Sequence, residues 1–111
     1  MKSYTDLEQS RKLKKILPLE SADMFYRDNG IDVKLMWEHN APKVENPCWS
    51  LAALLSVLPK GTNIIKEEAD TENEHYMCTV GIKDNIMPTF GNNPVDTCYE
   101  MVLKLHKLNL L

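Results

Sequence analysis

The chain is expected to fold as an α+β domain: an antiparallel β-sheet of about four strands, made of two hairpins, covered by three helices in the order α-ββ-α-ββ-α. Three observations lead there. Asn29-Gly30 sits between two alternating apolar runs, and residues 63–82 hold a second pair of such runs. Two stretches, "ENPCWSLAALLSVLPKG" and "NNPVDTCYEMVLKLHK", each place asparagine then proline ahead of a long apolar segment, which is how helices begin. With 111 residues, one domain spanning 1–111 is expected, large enough to bury roughly 65 % of its unfolded surface.

The elements follow in order. Thr5-Asp6-Leu7-Glu8 has capping-box spacing, so the first helix starts at Thr5. Leu7, Leu13, Ile16 and Leu17 give it an apolar stripe, and Pro18 ends it. In "ADMFYRDNGIDVKLMW", Asn29-Gly30 is the strongest short signal for a two-residue hairpin turn, since both positions need positive φ. Centring the turn there pairs Asp28 with Ile31, Tyr26 with Val33, Met24 with Leu35 and Ala22 with Trp37. Arg27 then faces Asp32 and Phe25 faces Lys34 on the other side.

"EHNAPKVE" reads as a polar connection. The next helix is expected to start with Asn46 as cap and Pro47 as first residue, and to stop at Pro59-Lys60-Gly61. Between these limits it is apolar almost all round, with Ser50 and Ser56 marking a wet edge, so burial in the core or in an interface is expected. "NIIKEEA" and "HYMCTVGI" read as a second antiparallel pair joined by the acidic tip "DTENE". Tyr76, Cys78, Val80 and Ile82 form the expected core face, with His75, Met77, Thr79 and Gly81 opposite. "IMPTFGN" adds a short edge strand, because Pro88 cannot donate to a ladder. The last helix opens at Asn93-Pro94 and carries the stripe Val95, Cys98, Val102 and Leu105, widened by Tyr99, Met101 and Leu108. Lys104 and Lys107 suit its C-terminal end.

Composition narrows the function classes. Hydrophobic residues make up 43 % and charged residues 26 %, near the globular average, which argues against a disordered chain. No apolar run approaches the roughly 20 residues of a bilayer span, so no membrane partner is expected. "MKSYTDLEQSRKLKKIL" lacks the apolar segment of a secretory signal, so a cytoplasmic location is expected. The net charge of −3 is a weak argument against nucleic acid. Arg11, Lys12, Lys14 and Lys15 in the first helix keep a weak nucleic-acid binder among the alternatives, although they spread over a wide arc without interleaved aromatics.

The three cysteines, Cys48, Cys78 and Cys98, are widely spaced and form no CxxC pair, so neither a zinc site nor a disulfide framework is expected. His39 and His106 have no partners at ligand spacing, and no glycine-rich phosphate loop is present. No cofactor, metal or small-molecule ligand is implied. One catalytic alternative exists. Papain-like and transglutaminase-like enzymes place a cysteine at a helix N-terminus, often followed by tryptophan, with the histidine on a later strand. Cys48-Trp49, His75 and Asp84 stand in that chain order, so a minimal cysteine hydrolase using Cys48, His75 and Asp84 is the alternative. A helix N-terminus stabilises a thiolate by only about 0.3–1 kcal/mol, less than one pKa unit. Strand parity also turns His75 away from the face of Tyr76 and Cys78. The preferred expectation is therefore a non-enzymatic accessory or protein-interaction module. It would self-associate or dock to a protein through apolar side chains at its C-terminal end, Leu108, Leu110 and Leu111.

Taken together, "ILPLESADM", "PCWSLAALLSVLP" and "NPVDTCYEMVLKLH" resemble a group of small uncharacterised proteins from gut anaerobic bacteria and their prophages or mobile elements. The resemblance covers both ends and the middle of the chain. It implies a shared α+β fold and carries over no activity.

Overall fold

Asp6, one residue beyond Thr5, caps the first helix in the computed structural model, which describes residues 1–27, 30–33, 46–67 and 75–111. The Asp6 carboxylate accepts from the Gln9 amide at 2.8 Å, and the Gln9 side chain accepts from the Asp6 amide at 3.0 Å. The box thus forms one residue later than the sequence suggests. Thr5 is drawn inward instead, and its hydroxyl serves other partners in the interior. Helix α1 runs Leu7–Lys14 and buries Leu13 and Ser10, with Leu17 also buried just beyond it; Leu7 stays exposed. A single 3₁₀ turn, Leu19–Ser21, leads into the first sheet.

That sheet joins β1 (Met24–Arg27), β2 (Gly30–Val33) and β3 (Pro47–Cys48), with β1 in the middle and all pairings antiparallel. The hairpin is present, but its register differs by two residues from the one centred on Asn29-Gly30. Arg27 pairs with Gly30, Tyr26 with Ile31, Phe25 with Asp32 and Met24 with Val33. A shift of two keeps each residue on its face, so the apolar pattern alone could not choose between the registers. The expected partners Lys34, Leu35 and Trp37 lie outside the described residues, as does Asn29. The assignment of faces also changes. Phe25, expected beside the polar set, is buried, whereas Met24 and Tyr26 are half-buried. Tyr26 needs an acceptor for its hydroxyl, and it finds the Thr5 carbonyl at 2.6 Å.

The middle helix differs most from expectation. Pro47 and Cys48 are strand residues, Phe25 and Met24 being their partners, and α2 spans only Leu51–Val57. Its cap is Ser50, whose hydroxyl accepts from the Ala53 amide at 3.1 Å, not Asn46. Pro47 has no amide to donate, and a strand of two residues at a sheet edge tolerates that. Nor is α2 wholly buried: Ala53 and Leu54 face the core, while Ala52 and Leu55 face water.

The second sheet joins β4 (Asn63–Glu67), β5 (His75–Ile82) and β6 (Asn85–Gly91), again antiparallel with the middle strand β5. Tyr76, Cys78 and Val80 are buried in alternation with half-buried His75, Met77 and Thr79, as the period of two dictates. The strand around Pro88 is a full edge strand. Pro88 offers no donor there, and its carbonyl accepts from the Lys104 ammonium at 3.1 Å. Helix α3 (Pro94–Lys107) begins with Asn93 accepting from the Asp96 amide at 2.8 Å and lies across β5 and β6. Gly91 is where they come closest, for a Cβ there would meet the Thr97 hydroxyl at 2.5 Å. The apolar core runs through α1, α2, β5 and α3 and includes Leu13, Trp49, Val80, Val102 and Leu105. The antiparallel strands thus form two three-stranded sheets instead of one continuous sheet, the first hairpin having gained the two-residue β3 and the second the seven-residue β6.

Candidate interaction surface

Cys48, Trp49 and Thr5 form a buried polar knot. The Trp49 amide donates to the Thr5 hydroxyl at 3.1 Å, and that hydroxyl shares a second hydrogen bond of 2.8 Å with Ser10. The Cys48 thiol donates to the Thr5 carbonyl at 3.3 Å, the same oxygen that takes the Tyr26 hydroxyl. Cys48 is completely inaccessible to water. Burial pushes its thiol above the ordinary cysteine range, and hydrogen bonds from Thr5, Tyr26 and Ser10 offset only part of that. It therefore stays protonated at neutral pH. His75 begins β5 in the other sheet, on the face opposite Tyr76 and Cys78, and its cross-strand partner is Glu67. Asp84 lies in the exposed turn between β5 and β6. The three residues of the catalytic alternative thus occupy separate elements, and among the described residues no imidazole is hydrogen-bonded to Cys48. His39 lies outside the described residues. Among those described, no group of three or more His, Cys, Asp or Glu side chains is placed to hold a metal ion.

A half-open groove of about 720 Å³ runs between the 3₁₀ turn and α2. Much of its polar wall is already engaged. Asp23 accepts from both the amide and the hydroxyl of Ser50, Ser21 accepts from the Trp49 indole at 3.0 Å, and Ser56 donates to Ala52 at 3.0 Å. The groove lies where the 3₁₀ turn meets α2, with Glu20 as the exposed charged residue of its wall.

Among the described residues, two groups of exposed apolar side chains stand out. At the end of α3, Leu108, Leu110 and Leu111 are 51 %, 47 % and 42 % exposed. They are held in place: Asn109 takes a left-handed φ of 57°, its amide donates to His106 at 3.0 Å, and the Leu110 amide reaches back to Leu105 at 2.9 Å. That pair of bonds is a Schellman closure, so Leu108 and Leu110 stand on fixed backbone. The second surface escaped sequence reasoning. The register aligns Ile65, Met77 and Phe90 across all three strands of the second sheet, on the face turned away from α3. Ile65 is 47 %, Phe90 57 % and nearby Ile86 74 % exposed. The signal was there in "IMPTFGN", whose Ile86 and Phe90 share one parity with Met77 only once the pairing is known. Arg11, Lys12, Lys14 and Lys15 are all exposed, and three of them lie in the last turn of α1, where they complement its C-terminal dipole.

Comparison with protein-family models, curated proteins and solved structures gave no match. The chain is an α+β protein in which, among the described residues, no helix is long and apolar enough to cross a membrane.

Proposed function

We propose that the chain is a protein-interaction module that works by binding, and that its partner is a second copy of itself. The row Ile65–Met77–Phe90, extended by Ile86, carries this reading. An apolar patch of a few hundred Å² on the solvent side of a sheet costs free energy unless something covers it. Among the described residues the titratable side chains on that face are Glu67 and His75, which sit opposite one another in register. In a pair of such faces, Glu67 of one copy can lie against His75 of the other. A row of four side chains is small beside a standard interface of roughly 1,600 Å², so the association is weak and concentration-dependent.

Sedimentation velocity at rising concentration tests it. The wild type should gain mass as concentration rises, and Phe90→Asp should remain monomeric with an unchanged far-UV circular dichroism spectrum. A wild type that stays monomeric throughout, or a Phe90→Asp variant that associates as readily, overturns the proposal.

A further inference from the structure

Cys78 lies in the middle of β5 on the side facing α3, and Cys98 lies just past the first turn of α3; both are completely buried. The backbone brings them together through two threonines. Cys78 is the cross-strand neighbour of Thr89, whose hydroxyl donates to the Thr97 carbonyl at 2.9 Å, in the peptide that leads into Cys98. The Thr97 hydroxyl in turn donates to the Asn93 carbonyl at 2.7 Å, which fixes this turn of the helix. The two buried side chains thus meet in the layer between sheet and helix. Cys48 has only oxygen partners in comparison.

We propose that Cys78 and Cys98 form a redox-active dithiol that closes to an intramolecular disulfide by exchange with a low-molecular-weight disulfide. One thiolate attacks the external disulfide, forming a mixed disulfide and expelling one thiolate of the reagent. The second cysteine, after giving up its proton, attacks the protein sulfur of that mixed disulfide and expels the other. Two protein thiols are oxidised by two electrons, and one external disulfide is reduced to two thiols. Either sulfur can make the first attack, and the other then resolves the mixed disulfide. Because both are buried, the reagent enters through local opening of α3 from the sheet, so the rate of oxidation reports that opening. The product ties β5, which carries Met77 on its other face, to the helix behind it.

The test uses the native full-length chain and oxidised glutathione as the probe. After exposure, the protein is quenched in acid, unfolded, alkylated and mapped by mass spectrometry. The expected product has lost two hydrogens, yields a peptide linking Cys78 to Cys98, and carries the alkyl group on Cys48 alone. Its Tm should rise by roughly 10 °C and return on treatment with dithiothreitol. Full alkylation of all three cysteines after prolonged exposure, stable glutathione adducts without the internal link, or a link involving Cys48 would each overturn the assignment.

Discussion

The two sheets are held by different forces. Around β1 and β3 the contacts are polar and long-range in sequence: Thr5 to Trp49 and Cys48, Tyr26 to Thr5, Ser50 to Asp23, the Trp49 indole to Ser21. Among the described residues none of the buried side-chain polar atoms lacks a partner. Around β5 and α3 the contacts are apolar, with Val80, Val95, Met101, Val102 and Leu105 almost or wholly withdrawn from water. The hydrogen-bonded region specifies where segments meet; the apolar region supplies most of the burial free energy. A short strand such as β3 could not hold its place by burial alone, so Thr5 and Asp23 fasten it from both sides.

The contrast makes ranked predictions. Leu105→Ala should cost the most, about 3 kcal/mol in urea unfolding, because the side chain is fully buried and the interface between α3 and its neighbours cannot collapse onto the void. Thr5→Val keeps the shape and removes only the hydroxyl. It should still cost about 2 kcal/mol by the same measurement, since the Trp49 amide and the Ser10 hydroxyl lose a buried partner. A loss of only a few tenths would mean that the knot contributes little.

The smallest effect is expected where the two regions are tied by charge. The Lys2 ammonium donates to Asp96 at 2.8 Å, to Gln9 at 2.9 Å and to Asp6 at 3.1 Å, joining the N-terminal segment to the start of α3. Burial works against an ionised Asp96, but hydrogen bonds from Lys2, Gln9 and Asn93 outweigh it and hold its carboxyl below the usual range. A depressed carboxyl contributes stability that is complete above its unfolded value near 4 and disappears as pH falls through the folded value. Asp96→Asn should therefore lower stability at neutral pH and make the acid limb of a Tm-against-pH curve shallower. With the side chain 35 % exposed, water screens the pair, and the loss should stay under about 1 kcal/mol.

Much of the second region was legible from residue types and spacing. The alternation in "HYMCTVGI" and the stripe Val95, Cys98, Val102, Leu105 report burial directly, and Asn93-Pro94 marks a helix start that depends only on its own neighbours. The first region resisted for a physical reason. Asn46-Pro47 has the same local signature as Asn93-Pro94, yet it leads into a strand, because β1 offers Pro47 and Cys48 an edge to pair with and Ser50 then caps the helix. Likewise Thr5 and Asp6 are both competent caps, and the choice fell to Asp6 because Trp49, far along the chain, claims the Thr5 hydroxyl.

Local chemistry alone was enough to specify an α+β chain, its closing helix, the two-residue period of its longest strand and the apolar end at Leu108, Leu110 and Leu111. Such features need only short-range sterics and the separation of oil from water. The hairpin register, the fate of Cys48, the packing of β5 against α3 and the row Ile65–Met77–Phe90 were left to the folded chain. Each depends on which distant segment comes to lie alongside, and partners far apart in sequence leave no periodic trace in it.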